Sequence, residues 1–212
     1  DVRYVPLLLS HGADGEARWQ GHSAYALACM YGNVAFAEAL AAHGLETRLD
    51  AIESAMAACA RGEVPPGRPL AGRAMSDEAR MILTRIILLE DRLRHAQCLV
   101  EAGLDANLTD EMCMTPLHLA GWAGLLDHFA WLLRLDPDLG HVNGFGGDLI
   151  GSIVHGSENR LDVETRDHAR CAQLALEAGA RLSRAAVTRA LNEEVAAVLA
   201  DWAERHLDAI VG

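Results

Sequence analysis

Thr115-Pro116-Leu117-His118-Leu119-Ala120, then Gly124, then the apolar run Phe129-Ala130-Trp131-Leu132-Leu133, is the stretch on which the fold turns. The Thr-Pro pair is a helix start. The threonine hydroxyl can accept a backbone N–H of the first turn, and proline sits where its missing N–H costs nothing. Gly124 closes this short helix, and the next apolar run supplies a second helix after a tight turn. The stretch therefore predicts a helix pair.

The same frame recurs along the chain. Candidate first helices open at Ser23, Glu53, Ile82, Thr115 and Asp148, at intervals of 30, 29, 33 and 33 residues. The second helices give an independent check, because each should end at a glycine that adopts a left-handed conformation. His11-Gly12-Ala13, His43-Gly44-Leu45, Ala102-Gly103-Leu104 and Ala178-Gly179-Ala180 all follow leucine- or alanine-rich runs. In the repeat opened by Thr115, Asp136-Pro137 takes the place of the glycine.

The block at Thr115 closely resembles the ankyrin signature T-P-L-H-x-A, in which a repeat of about 33 residues is a β-turn followed by two helices. The resemblance covers nearly the whole chain, most strongly 19–62 and 82–156. Its irregular units are similar to those of divergent bacterial ankyrin proteins. It implies an all-α ankyrin-repeat solenoid of five to six helix-turn-helix units with β-turn tips and a C-terminal capping helix pair. The corresponding single domain, 1–212, divides into a half repeat 1–14, repeats near 18–46, 48–76, 77–105, 110–139 and 143–179, and a cap 181–207. It also implies that His118 hydrogen-bonds between neighbouring repeats. Departures are visible. Val64-Pro65-Pro66-Gly67-Arg68-Pro69 breaks the second helix of the unit at Glu53. The helix opened by Asp148 is expected to stop at His155-Gly156-Ser157, before a polar stretch running to Thr165. Tetratricopeptide repeats share the period but need a Trp, Gly, Tyr and Ala pattern that is not found, and HEAT repeats are longer.

Bulk properties narrow the partner. The chain carries 18 Arg and Lys residues against 30 Asp and Glu, a net charge of −12, which repels phosphate backbones and favours a basic protein surface. The five cysteines show no CxxC spacing, and four lie in apolar helical runs, which predicts buried thiols in a reducing compartment. No apolar run approaches the roughly 18 residues of a membrane span. A cytoplasmic monomer or weak oligomer is expected, needing no cofactor and binding neither nucleic acid nor membrane.

The ankyrin frame implies which residues face the concave groove, the usual binding side of that family. Among the turn residues and helix ends it selects Trp19, Gln20, His22, Met30 and Tyr31. Further along it selects Glu111, Met112, Met114 and Trp122, then Asn143, Phe145, Asp148 and His155. Arg61, Leu89 and Glu90 complete the set. Aromatics and methionines at such positions point to a partner-binding site made of Trp19, His22, Met30, Tyr31, Met112, Met114, Trp122, Phe145 and His155. A competing reading folds Trp19 and Phe145 back onto the next turn and lets Met112 and Met114 fill space beside Cys113, which sits where a turn glycine is usual. The segment Glu63–Ser76, with Arg68 and Arg73, reads as a solvated connector or, alternatively, a recognition loop.

Catalytic patterns are lacking. There is no P-loop, nucleophile elbow or HExxH, and Gly144-Phe145-Gly146-Gly147 reads as a turn tip. His11 and His43 are placed to bond helix-terminal carbonyls, and His95 falls on a charged helix face. A non-enzymatic protein–protein interaction module follows. The alternative is a small-ligand-binding or regulatory protein with its site near Gly144–Asn159.

Overall fold

The computed structural model describes residues 2–159, 166–206 and the backbone of 210 and 211. The fold is all-α apart from two-residue strands. It divides into two compact units, Asp1–Ile86 with Arg94–Asp105, and Ile87–Leu93 with Ala106–Gly212.

The first unit opens with α1 (Tyr4–Ser10) and a turn tip, β1 (Arg18–Trp19) paired antiparallel with β2 (His22–Ser23). Ser23 caps α2 (Ala24–Met30), its hydroxyl accepting from Ala26 N at 3.1 Å. After α3 (Val34–Ala42) comes α4 (Ala51–Ala60), which starts two residues before Glu53 because Asp50 and Glu53 form a capping box, each accepting at 2.8 Å. α2 packs on both α3 and α4, and Val5, Ala28, Ala37 and Leu40 form one buried cluster. Gly12, Gly44 and Gly103 all have positive φ, as helix-ending glycines should.

The short helices α5 (Asp77–Arg80) and α6 (Ile82–Ile86) follow the proline-rich stretch, ahead of α7 (Leu93–Glu101). That stretch is largely solvent-exposed, as a connector should be, but it is pinned at one point. Leu70 is fully buried, and its N–H donates to Ala102 O at 3.0 Å. Gly103 lies so close to this segment that a Cβ would come within 2.6 Å of Ala71 N. One leucine just after the last proline of the stretch is enough to pin the excursion to the end of α7. His95 is 3% exposed, so the face of α7 that carries it is core and not the charged face expected.

In the second unit a 3₁₀ turn (Glu90–Arg92) precedes α8 (Pro116–Ala123) and α9 (Leu126–Leu133). Then come α10 (Leu149–Asn159), α11 (His168–Glu177), β3 (Leu182–Ser183), α12 (Arg184–Arg189), α13 (Glu193–Arg205) and β4 (Ile210–Val211), which pairs parallel with β3. α8 packs against α9, α10 and α11, and α11 also packs on α13. Phe129, Leu132, Leu149 and Ile150 fill the interior. Thr115 caps α8 with Pro116 in its first turn, and Gly124 ends it at φ 65°. Asp136 takes the left-handed conformation, φ 52°, where other second helices use glycine.

One helix departs from the sequence reading. α10 runs through Gly156 to Asn159. Gly156 acts as a contact point: a Cβ there would lie 1.9 Å from Trp122 O. The polar stretch expected to interrupt this repeat lies, from 160 to 165, outside the described residues, as does position 207 at the end of the expected cap.

Candidate functional site

The second unit carries a cleft of about 540 Å³ at the turn tips and first helices. Its apolar walls are Met112, Met114, Leu119, Trp122 and Phe145, and its polar positions include Asp110, Asn143, Ser152 and His155. Phe145 is 72% exposed and Met112 46%, so both stand at the lip, whereas Met114 is buried and forms the floor. Trp122 is half-buried and His155 exposed.

The tips that hold these side chains are built alike. Asp110 Oδ1 accepts from Met112 N at 2.9 Å and Met114 N at 2.8 Å. Asn143, 33 residues on, accepts through Oδ1 from Phe145 N at 2.9 Å and Gly147 N at 3.0 Å, and its amide donates to Ser152 Oγ at 3.2 Å. Such side-chain-to-backbone bonds fix a turn without a regular ladder. The tips are joined directly, Gly144 N donating to Met112 O at 2.8 Å. A Cβ at 144 would meet that oxygen at 2.8 Å, so glycine is required there. Asn143 is therefore a buried framework residue that borders the cleft with its hydrogen bonds committed to the turn. The recurrence of an Asx residue at Asp110 and Asn143 was the available sequence signal.

In the first unit the selected residues behave differently. Trp19 Nε1 donates to Glu78 Oε2 at 3.2 Å, and the Tyr31 hydroxyl donates to Glu78 Oε1. Glu78 N in turn donates to Gln20 Oε1 at 2.7 Å. Glu78, which the sequence reading passed over, gathers this tip together. His22 and Met30 do not reach the surface. Met30 is fully buried because α2 is covered by both α3 and α4. His22 is 7% exposed and held at both ends, Nδ1 donating to Glu53 Oε1 at 2.7 Å and Nε2 meeting Ser76 Oγ at 2.6 Å. It ties three segments of the unit together and offers nothing to a partner.

The crystal structure of an ankyrin repeat domain from Acinetobacter baumannii AYE is similar to this chain, with a TM-score of 0.52 and 17% identity over 95% of this chain and 92% of the other. The fold is that of an ankyrin-repeat domain. No family model matches the sequence, and none of the curated proteins is significantly similar to it.

Within this ankyrin fold the signature histidine sits at the seam between repeats. His118 Nδ1 meets Thr115 Oγ1 at 2.8 Å inside its own repeat, and its ring packs edge-on at 5.4 Å against His141, just beyond that repeat, whose backbone it also engages. Burial, with His141 alongside, pulls the His118 imidazole down to about 4, so it is neutral at physiological pH. His141 donates through Nε2 to Cys113 O at 2.8 Å, which braces the turn next to the cleft. His11 and His43 reach back to Leu7 O at 2.9 Å and Ala39 O at 2.8 Å, the helix-end role expected of them. Burial pushes the Cys59 and Cys171 thiols up to about 12, which makes them unreactive. Cys113 is exposed. Arg61 folds onto Ala57 O and Glu63, and Glu90 pairs with Arg166 at 3.2 Å. Among the described residues no group of His, Cys, Asp and Glu could hold a metal, and no helix is long and apolar enough to cross a membrane.

Proposed function

We propose that this protein is a non-enzymatic interaction module whose second unit seats a large apolar side chain of a partner protein. The entry point is the cleft walled by Met112, Trp122 and Phe145. One coincidence carries this reading. Met112, Met114, Trp122, Phe145 and His155 were selected by repeat phase and side-chain type, and all of them line a single concavity of about 540 Å³. Two further points support it. A phenylalanine and a methionine stand exposed at the lip, which is unfavourable in water unless something covers them. Asp110, Asn143 and Ser152 are engaged in holding the tips and the start of α10, and His155 Nδ1 meets the Asn159 amide at 3.1 Å, so the polar groups of the lining are tied to the fold. The negative net charge favours a basic partner, and the buried thiols suit the cytoplasm.

The test is site-specific photo-crosslinking in extract of the encoding organism, with benzoyl-phenylalanine at position 145 and, as control, at the exposed position 34. A discrete protein adduct from 145, lost in the Trp122→Ala background while unfolding stays cooperative, is expected. The same adducts from both positions, or none from 145, would contradict the proposal. The cleft volume also falls in the range of small-molecule pockets, about 300–1,000 Å³. A thermal-shift screen with metabolites that yields one large, saturable rise would favour that second reading.

A further inference from the structure

The apolar cleft does not end at His155. Gly147, Gly151 and His155 also border a second cleft of about 370 Å³, whose other walls include Asp148, Glu158 and Arg189. The two differ in chemistry. The first has Asp110 as its one Asp, Glu, Lys or Arg side chain, and the second sets two carboxylates against one guanidinium. Each carboxylate uses one oxygen for the fold: Asp148 Oδ1 accepts from Gly151 N at 2.7 Å and Glu158 Oε1 accepts from Leu191 N at 2.8 Å. Among the described residues, Asp148 Oδ2 and Glu158 Oε2 have no partner. The shared border has no side chain at Gly147 or Gly151, so a peptide backbone can pass close to it.

We propose that the two clefts form one recognition track for an extended segment of a protein partner. A large apolar side chain enters the first cleft, and a lysine or arginine of the same segment enters the second, against Asp148 and Glu158. The inference rests on the proposed role of the first cleft and adds the chemistry of its occupant. The excess of carboxylate over guanidinium selects a cation, and an acidic segment would meet repulsion. The apolar stem of a lysine or arginine can lie along Val154 and Ala186, which also line the second cleft, with its head among the carboxylates.

Random dodecapeptides displayed on phage are selected against the immobilised full chain, and enriched peptides are measured by fluorescence anisotropy. Enriched peptides are expected to carry an aromatic or large aliphatic residue close to a Lys or Arg. Trp122→Ala should weaken them about tenfold. Glu158→Gln, which keeps the acceptor for Leu191 N, should weaken them about threefold, and not at all once the peptide's basic residue is replaced by norleucine. Enriched peptides that are acidic or lack a basic residue, or binding indifferent to Glu158→Gln, overturn this inference while Trp122 dependence leaves the first cleft's role standing. Failure to enrich any peptide, or indifference to Trp122→Ala, overturns both.

Discussion

Gly156 lies so close to the main chain of Trp122 that a Cβ at 156 would sit 1.9 Å from the Trp122 carbonyl oxygen. That same oxygen accepts from His168 Nε2 at 3.1 Å. The peptide that carries the cleft's tryptophan is thus held from α10 and α11 at once, which fixes where the indole stands. Gly156→Ala would force backbone against backbone. It should cost about 3 kcal/mol or more in urea unfolding and alter Trp122 fluorescence. A loss below about 0.5 kcal/mol, the scale of a surface substitution, would show that the helices do not meet as described.

The buried, neutral His118 makes stability depend on pH in one direction. Its folded pKa, about 4, lies below the unfolded value of 6.5, so the unfolded chain takes up the proton first. The contribution is complete above pH 6.5 and is lost as pH falls toward 4, about 3 kcal/mol across that window. His128, lowered by burial, acts in the same sense. NMR titration of the His118 ring should give a midpoint near 4, and a midpoint near 6.5 would contradict its burial.

Glu53 holds two groups at once, His22 Nδ1 and Asp50 N. Glu53→Ala leaves both without their acceptor in a buried site and should destabilise the first unit by about 3 kcal/mol, whereas Glu53→Gln should cost about 1 kcal/mol. Chemical unfolding followed by circular dichroism measures both. Equal and negligible losses would remove the network from the account.

Cys113 holds φ at 55°, a conformation that glycine adopts without strain. Cys113→Gly should raise stability by about 1 kcal/mol, because the Cβ strain removed outweighs the added freedom of the unfolded chain. It should also abolish the fastest thiol reaction with Ellman's reagent, since Cys59, Cys98 and Cys171 are buried. A destabilised variant, or an unchanged fast phase, would contradict this assignment.

Much of this was legible in the residues themselves. Thr115-Pro116 marked the start of α8, and Gly12, Gly44, Gly103 and Gly179 marked helix ends, because capping and left-handed glycine are local chemistry. The cleft was legible through repeat phase, which carries Met112, Trp122, Phe145 and His155 to one side. Depth was not legible. Phase gives direction, but the covering of Met30 by α4 and the clamping of His22 by Glu53 and Ser76 depend on separate segments, the His22 partners lying 31 and 54 residues away. Gly156 misled for a related reason. A glycine that ends a helix and one that lets two helices touch look alike in sequence, and only the neighbour, Trp122, distinguishes them. Leu70 was hidden by the proline-rich run that precedes it.

The most direct test of the central claim is methyl NMR of ¹³C-methionine-labelled protein, titrated with the partner trapped by crosslinking at position 145. Met112 and Met114 line the cleft, and the fully buried Met30 and Met56 serve as internal controls. Shifts or broadening at Met112 and Met114 with Met30 and Met56 unmoved is the result this account predicts. Perturbation that spares Met112 and Met114 would contradict it.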